Sequence, residues 1–285
     1  MVVLVTGANG QLGQSIAHLS VRYAQIDFVF CDSKQMNITD FEAVKAVFKS
    51  VNPDVCINTA AYTAVDKAES DQENAIKINV KGAQNLALVC KEFHTKLIHV
   101  STDFVFDGQH QKPYTEIDIP KPTGVYGQTK LDGELAIAAV FSQYYIVRTS
   151  WVYSQFGNNF MKTMLRLGAE RDTLSVVEDQ IGTPTHALDL ADALIQMALY
   201  TDQNNEFPQY GIYHFSNEGQ CSWFDFAQKI FEIHQMSIDV KPIPTQSYPT
   251  PAKRPAYSVL DKTKIKTVLG ITIKNWDDRL KETIL

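Results

Sequence analysis

Tyr126 and Lys130 stand four residues apart in Val125-Tyr126-Gly127-Gln128-Thr129-Lys130. On a helix, that spacing puts both side chains on one face. A free phenol, with a pKa near ~10, exchanges protons poorly at neutral pH. An ammonium beside it favours the phenolate and draws that pKa down. A tyrosine so placed can protonate the oxygen formed when a hydride reaches a carbonyl carbon. Such pairs also arise by chance in ordinary helices, so this one carries weight only beside other parts for the same chemistry. Upstream, an apolar run ends in Ser101-Thr102-Asp103-Phe104. A hydroxyl there, such as that of Thr102, can bond a carbonyl oxygen and help hold developing negative charge. Taken alone, the same residues also describe a strand-end turn stabilised by Ser and Asp.

The N-terminus supplies a second constellation. An apolar strand leads into Thr6-Gly7-Ala8-Asn9-Gly10-Gln11-Leu12-Gly13, a G-x-x-G-x-x-G spacing. Gly7 permits a tight strand-to-helix turn, Gly10 lets backbone approach a pyrophosphate, and Gly13 lets the helix pack close on a sheet. The positive end of that helix then faces the phosphates. A glycine triplet is a weak signal by itself, and the strand before it and helix after it are the context of a dinucleotide site. Asp32 ends the second strand, 19 residues after Gly13. Its carboxylate suits the ribose 2′-hydroxyl of NAD. Ser33 and Lys34 suit the 2′-phosphate of NADP, and the residues leave both open.

These groups need a scaffold. Apolar runs at 2–5, 28–31, 54–58, 97–100 and 145–148 alternate with helical patterns at 12–23, 41–51, 73–93 and 129–140. Near-continuous Val and Ile mark strands buried on both faces, as in a parallel sheet covered by helices. The alternation implies right-handed crossovers and a doubly wound α/β fold. Asp40 is placed to cap the helix over 41–51. Beyond residue 150 the rhythm loosens. Helices are expected at 159–168, 187–200 and 223–234, the last capped by Ser222, and strands at 174–177 and 213–216. A polar loop is expected at 203–209, a Pro-rich extended segment at 241–255, and short helices at 261–269 and 277–284. Residues 1–150 read as a dinucleotide-binding domain, completed by about 174–216, with the rest of 151–285 mainly a smaller substrate-binding part.

The bulk numbers narrow the partners. The chain has 285 residues, 45% hydrophobic and 20% charged, with a net charge of -6. That suits one large or two fused soluble domains. The acidic balance gives no electrostatic reason to bind nucleic acid or an anionic membrane. No stretch approaches a membrane span, the N-terminus lacks signal-peptide character, and Cys31, Cys56, Cys90 and Cys221 have no metal-ligand spacing. A reducing cytoplasm is expected.

The chain resembles the extended short-chain dehydrogenase/reductases, and among them the dTDP-4-dehydrorhamnose reductase family. The carrying stretches are VTGANGQLG from Val5, NTAAYTAVDKAE from Asn58, STDFVFDG from Ser101 and VYGQTKLDGE from Val125. They continue with VRTSWVY from Val147, GNNF from Gly157, DQIGTPT from Asp179, SNEGQCSWFDFA from Ser216 and RPAYSVLD from Arg254. The resemblance implies a Rossmann fold and reduction of the 4-keto group of dTDP-4-dehydro-beta-L-rhamnose, with NADPH as cofactor or NADH in its place. It implies that Gly10, Gln11 and Leu12 contact the diphosphate, that Asp32, Asn37 and Ile38 surround the adenosine, and that Ala60, Ala61, Tyr62, Thr63 and Ser101 line the cofactor groove. Tyr126 becomes the proton donor, with Lys130 on the nicotinamide ribose and lowering the pKa of Tyr126. Thr102, Asp103 and Trp151 touch the sugar, and Asn159, Gln180 and Arg254 serve the nucleotide end. Without the family, Trp151 reads as a core aromatic and Arg254 equally as a surface side chain. Phe104 stands where the family usually has Tyr, which removes one hydroxyl from the sugar site. Ser15 and Leu188 stand where some members carry carboxylates around a bridging magnesium ion, so no metal and no metal-bridged dimer are expected, only a monomer or weak dimer. Two alternatives remain at this stage: a reductase or epimerase for another nucleotide sugar, and a non-catalytic subunit like the regulatory beta subunit of methionine adenosyltransferase.

Overall fold

The computed structural model describes residues 1–203 and 209–283. Strand β1 (Val2–Thr6) is followed by α1 (Gln11–Ser20), β2 (Asp27–Cys31), α2 (Phe41–Val51) and β3 (Val55–Asn58). Two short helices, α3 (Val65–Ala68) and α4 (Gln72–Ile76), lead through a π turn (Lys77–Gly82) into α5 (Ala83–Glu92) and β4 (Lys96–Thr102). Helix α6 (Val125–Val140) and β5 (Tyr144–Thr149) complete the first half. All five expected strands of this half are present, and Asp40 caps α2 by accepting from the Ala43 amide at 3.1 Å. The single helix expected at 73–93 is interrupted by the π turn, and α6 starts four residues before its expected position.

The second half begins with β6 (Val152–Tyr153), α7 (Phe160–Glu170), β7 (Thr173–Val177), β8 (Ile181–Gly182) and β9 (Thr185–His186). It continues through α8 (Ala187–Gln203), β10 (Gly211–His214), β11 (Cys221–Ser222), α9 (Trp223–Ile233) and β12 (Asp239–Ile243). Helices α10 (Thr263–Leu269) and α11 (Trp276–Lys281) follow. Ser222 and Asp225 form a reciprocal capping box at the start of α9. Most of the polar stretch expected at 203–209, and residue 284 of the last expected helix, lie outside the described residues.

The main sheet is six-stranded and parallel, in the order β10-β5-β4-β3-β1-β2. Successive side chains of a strand point to opposite faces. Val3 and Val5 of β1 therefore enter the core beneath α1 and α8, while Leu4 enters the core beneath α2 and α5. Each such fully buried side chain contributes on the order of 1.5–3 kcal/mol. The strand order reverses between β1 and β3, which opens a crevice at their carboxyl ends.

A third core joins α7, α9 and β7, with Trp276 and Leu280 of α11. Here β7 pairs in parallel with β12, and Leu174 and Val176 enter this smaller core. The return to the main sheet therefore starts with α8 and β10, not at residue 174 as expected. Periodicity finds β7 as a strand, but its partner lies more than sixty residues on, where the Pro-rich segment begins.

Candidate active site

At the end of β1, Gly7 has φ +67 and an added Cβ would lie 2.7 Å from the Ala60 amide nitrogen. Gly13 sits beneath the loop, where a Cβ would meet the Gly7 carbonyl at 2.5 Å. Helix α1 starts at Gly10 with no side-chain cap. Its free amides face a cleft of about 840 Å³ that runs along the crevice between β1 and β3. Gly7, Gly10, Gln11 and Leu12 line one end of this cleft, with Asp32, Ser33, Asn37 and Ile38 beside them. Ala60, Ala61, Thr63, Ser101, Thr102, Asp103, Phe104, Tyr126, Lys130 and Trp151 line the rest. An elongated cleft, an uncapped helix start and a loop with no room for side chains fit a dinucleotide.

Some expected positions are used otherwise. Lys34 is exposed and does not line the cleft; its backbone amide donates to Asp32 Oδ1 at 2.8 Å. The other Asp32 oxygen accepts from Asn9 Nδ2 at 2.8 Å, so backbone and Asn9 donors hold that carboxyl below its ordinary range. Tyr62 does not line the cleft either, because its hydroxyl donates to Asp71 at 3.0 Å. Asn159 is a structural cap. Its Oδ1 accepts from the Lys162 amide, and its Nδ2 donates to Gln11 Oε1 at 2.8 Å, so it lines neither cavity itself but braces a residue that lines the first.

Helix α6 brings Tyr126 and Lys130 to the cleft. Its N-terminus is held by Glu69, whose Oε1 accepts from the Val125 amide at 2.9 Å. One turn beyond Lys130, Glu134 meets Arg148 of β5 in a buried pair, with Nη2–Oε2 at 2.6 Å and Nε–Oε1 at 3.0 Å. Lys130 is 2% exposed and donates to the Val100 carbonyl at 2.7 Å. Burial pulls its pKa down to about 8, against the attraction of Glu134. Burial pushes Tyr126 up to about 12; a hydrogen bond from Thr102 opposes this and Asp103 adds to it. This reverses the expected direction. The Lys130 amine is turned onto Val100 and His99 and is no counterweight to the desolvation of the phenol.

Asp103 is 2% exposed. Burial raises its pKa to about 6, against hydrogen bonds from Ser258 and Thr102. Phe104 packs edge-on against Tyr126, with ring centroids 5.5 Å apart.

A second cavity of about 910 Å³ adjoins the first; Val65, Phe104 and Trp151 line both. Trp151 has φ +47 and stacks on Trp223 at 3.5 Å. Gln180 and Arg254 line this second cavity. Gln180 donates to Thr245 at 3.0 Å, and both terminal nitrogens of Arg254 reach Asp66 at 2.7 Å. Sequence reasoning missed Trp223, Arg171 and Tyr248 in this wall. Trp223 lies within the SNEGQCSWFDFA stretch, which offered its only signal.

The chain as a whole is similar to known proteins. The family model described as RmlD substrate binding domain matches residues 1–285. The dTDP-4-dehydrorhamnose reductase of Aggregatibacter actinomycetemcomitans is 44% identical, over 98% of this chain and 97% of its own. The chain belongs to the dTDP-4-dehydrorhamnose reductase family. A solved member from Clostridium acetobutylicum is 42% identical with a TM-score of 0.93, covering 99% of this chain and 98% of its own. The Bacillus anthracis member, solved in complex with NADP, is 39% identical with the same TM-score and the same coverage. Among the described residues, no helix is long and apolar enough to cross a membrane, and no cluster of His, Cys, Asp and Glu could hold a metal ion.

Proposed function

We propose that the protein reduces the 4-keto group of dTDP-4-dehydro-beta-L-rhamnose to give dTDP-beta-L-rhamnose, the last step of dTDP-rhamnose synthesis, with NADPH as cofactor. The observation that carries this reading is the meeting of two cavities at Val65, Phe104 and Trp151, the one shaped for a dinucleotide holding Tyr126 and Thr102 and the one beside it open to the sugar nucleotide. When bound, the nicotinamide supplies a hydride to the carbonyl carbon. Gly7, Gly10, Gln11 and Leu12 would hold the diphosphate, and Ser33 would read the adenosine end. Because Asp32 is already engaged by Asn9 and two backbone amides, it competes weakly for a ribose hydroxyl, which favours the phosphorylated cofactor.

Tyr126 donates its phenolic proton to the keto oxygen, and the Thr102 hydroxyl steadies that oxygen as charge develops. A desolvated tyrosine stays protonated across the neutral range, which is the form a donor requires. Lys130 holds the nicotinamide ribose and restores the proton of Tyr126. Trp151 and Phe104 wall the sugar and exclude water, and Gln180 and Arg254 meet the nucleotide. Residues 1–150 with α8 and β10 form the cofactor-binding part, and the core of α7, α9, β7 and β12 forms the substrate-binding part. The enzyme is cytoplasmic and works as a monomer or weak dimer without a bridging metal. Replacing Tyr126 by Phe is expected to lower turnover by about 10²–10⁴-fold while cofactor affinity is retained, measured by stopped assays and cofactor fluorescence; an unimpaired variant would remove Tyr126 from the mechanism.

A further inference from the structure

Behind Lys130 runs a chain of buried polar groups that the reaction itself does not use. The Thr6 hydroxyl, at the end of β1, donates to Asn58 Oδ1 at 2.6 Å. The Ala60 amide donates to the same oxygen at 3.1 Å. Asn58 Nδ2 lies 2.8 Å from His99 Nδ1, and His99 Nε2 lies 3.3 Å from Lys130 Nζ. Asn58 and His99 are each 1% exposed, so no solvent competes for these contacts.

The senses of these hydrogen bonds follow from one backbone group. A main-chain N–H can only donate, so the Ala60 amide requires an oxygen opposite it. That orients the Asn58 carboxamide, with its oxygen toward Ala60 and Thr6 and its NH₂ toward His99. Nδ1 of His99 must then accept, and the single proton of the neutral ring sits on Nε2. Burial and the neighbouring Lys130 hold His99 far below its ordinary range, so the ring is neutral. Its Nε2–H therefore points at Lys130.

We propose that Asn58 and His99 are positioning residues for Lys130: they fix the ring proton on Nε2 and so set a hydrogen-bond donor against the lysine nitrogen. An ammonium has no lone pair to accept that donor, whereas an amine does. The amine accepts from His99 while donating to the Val100 carbonyl. The wire thus favours the amine and makes the ammonium a readier proton source for Tyr126. Protonation of the keto oxygen breaks the Tyr126 O–H bond, Lys130 returns a proton to the phenolate, and solvent restores the ammonium.

Other charged groups near Lys130 act differently. Glu134, on the same helix, favours the ammonium and is itself engaged by Arg148 of β5. Asp103, just past β4, acts on Tyr126. From the π turn, α6 receives the uncharged Asn79, which donates to Thr129. Only His99 presents a donor to the lysine among the described residues.

This inference rests on the reductase reading for its kinetic consequences, but not for its structural one. Wild-type protein carrying isotope-labelled histidine is examined by nitrogen–proton correlation at neutral pH, and His99 is identified by the signal lost in His99→Leu. The proton is expected on Nε2; a proton on Nδ1 overturns the proposal, whatever the enzyme's activity. The pH dependence of turnover is then compared with that of Asn58→Asp and His99→Leu. In Asn58→Asp an acceptor replaces the donor, so the ring proton moves to Nδ1 and a lone pair faces Lys130. The alkaline limb, where Lys130 loses its proton, is expected to move up by about one pH unit or more in both variants. A uniform loss of turnover with the limb unmoved would mean that the wire is structural only, and would overturn the tuning role. Wild-type protein without turnover would count against the functional reading and leave the tautomer result to decide this one.

Discussion

Asp103 shows how far a single residue can be made to serve a site at the expense of the fold. Its carboxyl ionises at about 6 in the folded chain, above the ordinary 3.8. Between those values the folded state keeps a proton that the unfolded chain has released, so this group weakens the fold as pH rises through that window. Above it the penalty is complete, about 2–3 kcal/mol. Asp103→Asn, which keeps the size and removes the charge, is therefore expected to raise the denaturation midpoint at about pH 8 and to lower turnover; an equal or lower midpoint would show that the buried charge is compensated. Which residues belong to the site was partly legible in the chain. Tyr126, Lys130 and the glycines are marked by local spacing, because the chemistry itself demands that spacing. Tyr62 and Asn159 were not separable from site residues, since what engages them lies elsewhere: Asp71 for one, and Gln11, nearly 150 residues away, for the other. Arg254 likewise meets Asp66 across 188 positions. The pKa of Tyr126 was misjudged for the same reason: the burial that sets it comes from the packing of distant segments.

Helix α6 carries Tyr126 and Lys130, the pair proposed to react, and its position depends on groups outside it. Glu69 closes its first turn, and the Glu134–Arg148 pair, with Ser101 donating to Glu134 at 2.5 Å, fixes its middle to β4 and β5. Arg148 also lies 5.1 Å from the Phe106 ring. Removing one partner would leave the other charge buried, at a cost of about 3–5 kcal/mol. Glu134→Ala is expected to lose that much stability in urea and to reduce turnover through displacement of Lys130. A loss below about 1 kcal/mol would mean the pair is dispensable. Hydrophobic periodicity located the helix itself but neither its start at Val125 nor the π turn before α5. The start depends on Glu69 reaching over from another element. The π turn accommodates Asn79, which bridges the Tyr62 backbone and Thr129. The short strand pairs β6–β9 and β8–β11 were also invisible, two residues being too few for any period to register.

At the scale of the molecule, the parallel sheet was legible from the chain because five apolar runs alternate with four helical patterns, and few folds accommodate that order. The smaller core was not, because β7 and β12 meet only after the chain has returned to the main sheet and left it again. The assembled interior also holds His99, His186 and His214 in neutral form, the latter two ionising only at about 3. Their depressed values leave the fold at full advantage above the unfolded histidine value of about 6.5 and erode it as pH falls, by up to about 1.4 kcal/mol per unit for each group. Asp103 and Glu116, both raised by burial, work in the opposite sense but are two groups against three. The denaturation midpoint is accordingly expected to fall steadily below about pH 6.5; a flat profile to about pH 5 would show that these rings do titrate in the folded chain. The central claim concerns the reaction. Purified protein is mixed with dTDP-4-dehydrorhamnose and either NADPH or NADH, and loss of the reduced nicotinamide absorbance is followed. Rapid loss, faster with NADPH, with dTDP-rhamnose as the product, is the expected result. Protein that binds the cofactor yet oxidises neither form in the presence of this sugar would contradict the account.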